Sequence, residues 1–248
     1  MIQQGTRSVD YLRKGLSLIR QPGLRRFVLL PLAANFLFFG IGFYYLLTSF
    51  DEFLTWSRSR IPEWAVSLMD ALSWLIWPLF VVTALLLGSY LFSILANWLA
   101  APFNGLLAEA VETRLTGVAP PPEPVHQMVV RSFGREWIKL KYYLPKALGM
   151  VLLWLLTFYI PVLNLLLPVL WFVFTAWMMA LQYLDYPMDN HRVPFPVMLA
   201  ALRNKRGLSL GFGSLVALAG MIPLVNILIM PVAVAGATAL WVEEFNKN

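Results

Sequence analysis

Two adjacent arginines stand where a long apolar stretch begins, in the run Gln21-Pro22-Gly23-Leu24-Arg25-Arg26. The first turn of a helix leaves main-chain N–H groups without partners and carries about half a positive charge. Gly23 lets the backbone come close to a ligand, and guanidinium forks match the oxygens of a tetrahedral anion. Gly23, Leu24, Arg25 and Arg26 therefore form a candidate site for a sulfate- or phosphate-type oxyanion. The same arginines also suit a plainer role as cationic flanks of a membrane helix. Local sequence leaves both open.

Other polar residues invite the same weighing. Asn35 in the first apolar stretch, and Asn97 and Asn104 about two turns apart in the second, could line a passage or could hydrogen-bond neighbouring helices. Glu109 and Arg114 could form a charged entrance or a surface ion network. Asp185, Asp189 and His191 carry metal-ligating groups, but in poor ligand spacing and around Pro187, so they read as a solvated connection. His126 and His191 have no partner serine or carboxylate motif, and H-E-x-x-H and phosphate-loop patterns are missing. The expectation is no enzyme, no metal site and no cofactor.

These residues must be positioned by membrane helices. Hydrophobic residues make up 59% of the 248, and charged residues 13%, about half the charged share of a soluble domain. Mean hydropathy is +0.69, and the apolar residues lie in long blocks. Ten tryptophans and nine tyrosines suit the bilayer–water interface. Cysteine is absent, which excludes disulfides and thiolate chemistry. The net charge of +6 is distributed over short loops rather than along a stripe with stacking aromatics, so nucleic acid is not an expected partner.

Residues 1–21 read as an amphipathic helix, with Val9, Leu12, Leu16 and Ile19 on one stripe and Arg7, Arg13, Lys14 and Arg20 mostly outside it. It would lie on the membrane surface or on the protein's own cytoplasmic layer. The stretch has no apolar core of the signal-peptide kind. Residues 24–118 read as two long spanning helices joined by an acidic loop over about 48–70, the second ending at Gly117. Residues 119–143 supply a proline-rich linker and a basic helix with Arg131, Arg135, Lys139 and Lys141 on one face.

An internal repeat follows. Ile160-Pro161-Val162-Leu163-Asn164 and Ile222-Pro223-Leu224-Val225-Asn226 each turn one apolar arm into another, giving hairpins over 144–185 and 207–243. Neither tip carries charge, and the arm from Leu208 to Met221 reaches only ~20 Å, short of a ~30 Å hydrocarbon core. Re-entrant hairpins are expected, with Asn164 and Asn226 partnering buried tip backbone; full spans are the alternative. Arginine and lysine cluster in 7–26, 114–146 and 192–206, which puts both termini and the hairpin bases in the cytoplasm. The fold class is an all-α integral membrane protein, one membrane domain over 1–248.

The order and spacing of Pro22-Gly23-Leu24-Arg25-Arg26-Phe27, Pro31-Leu32-Ala33-Ala34-Asn35-Phe36, Leu99-Ala100-Ala101-Pro102-Phe103-Asn104, Glu109-Ala110-Val111-Glu112 and the paired I-P-x-x-N turns resembles the CysZ sulfate transporters of bacterial inner membranes. The resemblance covers nearly the whole chain. It implies a multi-pass inner-membrane permease, channel-like or gradient-coupled, that supplies sulfate for assimilation and cysteine biosynthesis. It also implies a homo-oligomer among membrane lipids, two spanning helices plus two partly inserted hairpins, and sulfate contact at Gly23, Leu24, Arg25 and possible contact at Arg26. A non-transporting membrane scaffold or assembly factor of the same fold is the alternative.

Overall fold

The computed structural model describes residues 2–246, except for the side chains of 2–6, 35, 51, 87, 89–100, 125, 223, 224, 226 and 227. Among the described residues every regular element is helical: α1 (Ile2–Ile19), α2 (Arg26–Arg58), α3 (Glu63–Ala71), α4 (Ser73–Thr116), α5 (Val125–Leu156), α6 (Leu163–Asn190), α7 (Phe195–Asn204), α8 (Arg206–Gly220), α9 (Pro223–Leu240) and a π-helical turn over Trp241–Phe245. Contacts divide the chain into two compact units, Leu29–Ala100 on the one hand and Met1–Val28 with Ala101–Asn248 on the other.

Among the described residues three helices, Arg26–Arg58, Leu163–Asn190 and Leu228–Phe245, are long and apolar enough to cross a membrane, and a fourth is counted if α3 and the first part of α4 make one bent span. In the most apolar window of α2 only 6% of the residues are buried inside the chain. Phe36, Leu37 and Phe38 stand more than half exposed. A helix so apolar that covers so little of itself needs another apolar phase, and lipid supplies it.

In the unit Leu29–Ala100, α2 does not stop near Leu47. It continues helically to Arg58, because Phe50 stacks on Phe80 with ring centroids 3.5 Å apart and meets Trp77 edge-on. Most of the expected acidic loop is thus helix, and Arg58 pairs with Asp70 at 2.6 Å beside the short turn that remains. The chain then bends by 68° between α3 and α4. α4 runs 44 residues and passes into the other unit, where it ends at Thr116 before Gly117, whose φ of 75° suits glycine.

In the other unit, α1 crosses α9 and α8 crosses α6 at glycines. A Cβ on Gly15 would stand 2.2 Å from the Val232 carbonyl oxygen, and one on Gly213 would stand 1.9 Å from that of Ala176. Such backbone contact is what small residues permit between helices. The core around these crossings contains Leu181, Leu184, Met188, Phe212, Val234 and Leu240. The buried seam of α1 is Ser8, Tyr11, Gly15, Leu18 and Ile19, one step round the helix from the expected stripe. Gly15 draws α9 to that side, which a count of apolar side chains does not register.

The basic helix and the first hairpin arm are one continuous helix, α5, with Pro145 inside it. The tip over 158–162 is exposed, with Tyr159 85% accessible and Asn164 also exposed. Its turn is closed by main-chain bonds, among them Thr157 N–H to Trp154 O at 3.0 Å and Ile160 N–H to Leu156 O at 2.9 Å. Asn164 is therefore not the buried partner that was expected for this tip. The side chain of Asn226 lies outside the described residues.

Candidate anion site and a buried ion network

The chain leaves α1 at Ile19 and enters α2 at Arg26 through a tight turn. Leu24 N–H donates to Gln21 O at 3.2 Å, and the Leu24 side chain, 5% exposed, pins the turn to the interior. Gly23 has a φ of +91°, a conformation side chains disfavour, and nothing lies within 4 Å of where a Cβ would be. The N–H groups of Phe27 and Val28 close onto Leu24 O and Arg25 O, so the first α2 amides beyond Arg26 are occupied. Those of Gly23, Arg25 and Arg26 have no backbone acceptor among the described residues.

Both guanidiniums are exposed. Arg25 Nε donates to Arg20 O at 2.7 Å, which fixes the base of its fork while leaving the terminal nitrogens outward. Arg26 sits 4.9 Å over the Phe27 ring. Arg114 comes from α4 and donates Nε to Gln21 Oε1 at 3.2 Å. One of the two candidate entrance residues is therefore tied to the candidate anion turn. Glu109 lies one helical turn earlier on α4, where its carbonyl accepts from Thr113 at 2.8 Å.

Asn104 is placed differently. It is 6% exposed and donates to Tyr186 Oη at 3.2 Å, so its described bond joins α4 to α6 inside the unit. The side chains of Asn35 and Asn97 lie outside the described residues.

The stretch holding Asp185 and Asp189 is not a solvated connection. Both are buried in α6, which continues through Pro187 to Asn190. Asp185 Oδ1 accepts from Arg135 Nε at 2.7 Å, and its Oδ2 lies 3.2 Å from Lys139 Nζ. Arg131 pairs with Asp189 and with Glu123 of the linker, the latter at 2.8 Å. Burial opposes charge on Lys139, but Asp185, Tyr186, Glu136 and Tyr143 together outweigh it and hold the ammonium above the ordinary lysine range. The hydrogen bond from Arg131 holds Glu123 below the usual carboxylate range against its partial burial.

The basic face at 131, 135 and 139 therefore meets an acidic pair at 185 and 189. Matching four-residue steps on two helices were the available signal. His191 also gains a partner that motif reading did not find, Glu112 Oε1 at 2.7 Å from Nε2. No cluster that could hold a metal ion occurs among the described residues.

Residues 11–231 match the family described as Sulfate transporter CysZ/Etoposide-induced protein 2.4. The chain belongs to that family. The matched span includes the Gly23–Arg26 turn, Arg114, the α5–α6 ion network and most of both hairpins. At the level of the CysZ family the named function is sulfate transport, which is not an enzymatic activity, and the apolar helices agree with a membrane protein.

Proposed function

We propose that this chain conducts sulfate across the bacterial inner membrane for assimilation into cysteine, as a homo-oligomeric permease whose sulfate contact is the Gly23–Arg26 turn. The observation that carries this reading is the turn itself: two exposed guanidiniums, one braced by Arg20, with Arg114 held alongside through Gln21. Sulfate is divalent at neutral pH, so stripping its water is costly without preorganised cations. A site at the surface of the fold can take the ion and release it, as conduction requires.

The hairpins enter this reading as re-entrant elements. α8 has 15 residues and reaches about 22 Å, less than the ~30 Å of hydrocarbon. The proposed topology keeps the anion turn, the hairpin bases and both termini cytoplasmic, as the arginine and lysine distribution favours.

The test is radiolabelled sulfate flux into liposomes holding the purified chain, with selenate, phosphate and chloride as competitors. Flux sensitive to selenate and indifferent to chloride is expected, together with loss of calorimetric sulfate binding in Arg25→Ala/Arg26→Ala. Absence of flux would leave a membrane scaffold, and unchanged binding in the double variant would remove the site.

A further inference from the structure

The apolar stripe of α1 that the core does not use forms one wall of a groove. Val9, Leu12 and Leu16 face Ala219 of α8 and Leu228 of α9 across a space of about 420 Å³, with Arg13 at its rim. The volume is within the range of sites that hold small organic ligands, and the wall is apolar apart from that arginine.

Arg13 differs from the cations beside it. Arg7 pairs with Glu244, and Lys14 pairs with Glu243. Arg13 is exposed and has no acidic partner among the described residues. An unpaired guanidinium at the mouth of an apolar groove, on an amphipathic helix, complements one chemistry: a hydrocarbon chain ending in an anionic phosphate.

We infer that this groove binds an anionic glycerophospholipid of the surrounding bilayer, with an acyl chain between α1 and the α8–α9 hairpin and the phosphate on Arg13. A second copy of this chain is the poorer occupant. A symmetric contact through the groove would bring the unpaired Arg13 of one copy towards Arg13 of the other. The lipid would brace α1, and with it the turn that follows Ile19.

Native mass spectrometry of the full chain, offered equimolar dioleoyl phosphatidylglycerol and phosphatidylcholine, tests this without reading transport. Retention of phosphatidylglycerol over phosphatidylcholine by about fivefold is expected, the effect of one arginine at a charged membrane surface. Arg13→Gln should bring the ratio near one, and the exposed-cation control Arg203→Gln should leave it unchanged. Ala219→Trp, which fills the groove, should lower retention of both lipids; if that variant does not fold, the two arginine variants decide. A ratio near one in the unaltered chain, or one that Arg13→Gln does not move, would overturn the inference. So would an equal fall in Arg203→Gln, or Leu16→Cys protomers that cross-link to each other in liposomes.

Discussion

Replacing Asp185 by asparagine takes the shared acid out of the buried network. Arg135 Nε lies 2.7 Å from one of its oxygens and Lys139 Nζ lies 3.2 Å from the other. At an effective dielectric of about 20, a pair at 3.2 Å is worth about 5 kcal/mol, much of it offset by the desolvation of both charges. The intact pair therefore adds little net stability. Removing one member does not return the desolvation of the other, because Lys139 is 1% exposed and would keep only Glu136 as its acidic partner among the described residues. Asp185→Asn is expected to cost about 3–5 kcal/mol, on the order of 10 °C in Tm for a chain of this length. Lys139→Met alone should be destabilising in the same way. The double variant leaves no orphan at this pair and should recover most of the loss, with a residue of about 1–2 kcal/mol for the weakened Arg135 contact. Size-exclusion profiles of the detergent-solubilised chain after stepped heating measure all four proteins. The reasoning fails if Asp185→Asn melts within about 2 °C of the unaltered chain, or if the double variant loses the sum of the two singles.

Two glycines should respond for different reasons. Gly213→Ala places a Cβ 1.9 Å from the Ala176 carbonyl, so α6 and α8 must separate, at a cost of about 1–3 kcal/mol seen as earlier loss of the monodisperse peak on heating. Gly23→Ala meets nothing, and its cost is local strain of about 1–2 kcal/mol at a φ of +91°. Its expected signature is weaker sulfate binding by calorimetry, beside a fall of about 2–8 °C in Tm. The Glu123–Arg131 pair makes the docking of the linker acid-sensitive. Because the folded carboxyl is held below its ordinary range, the contribution is present above the unfolded value and is lost as pH falls through the folded one. Pepsin should cut residues 117–124 only once Glu123 is protonated, whereas Glu123→Gln should expose the same segment to a neutral protease at pH 7.

The helical membrane class and the basic turn over Gly23–Arg26 were legible in the sequence for related reasons. Hydropathy sums along the chain, so Phe27–Leu47 betrays a spanning helix before anything packs on it. Gly23, Leu24, Arg25 and Arg26 are consecutive, so a reading confined to neighbours contains the whole motif. The same logic misplaced Asp185 and Asp189. Pro187 usually marks an interruption, and two acids around it read as solvent-facing until their cationic partners are known to be across a helix interface.

What only the tertiary structure decided is which residues meet across long separations. Arg135 finds Asp185 fifty residues away, His191 finds Glu112 across 79, and Arg114 reaches Gln21 across 93. Gly15 turns the buried side of α1 away from its own apolar stripe, through a main-chain approach to Val232 that no side-chain pattern encodes. The sequence by itself determined that these helices seek an apolar phase and that a basic turn begins the first long one. Burial and charge pairing depend on distances between helices, and those exist only once the backbones have closed on one another.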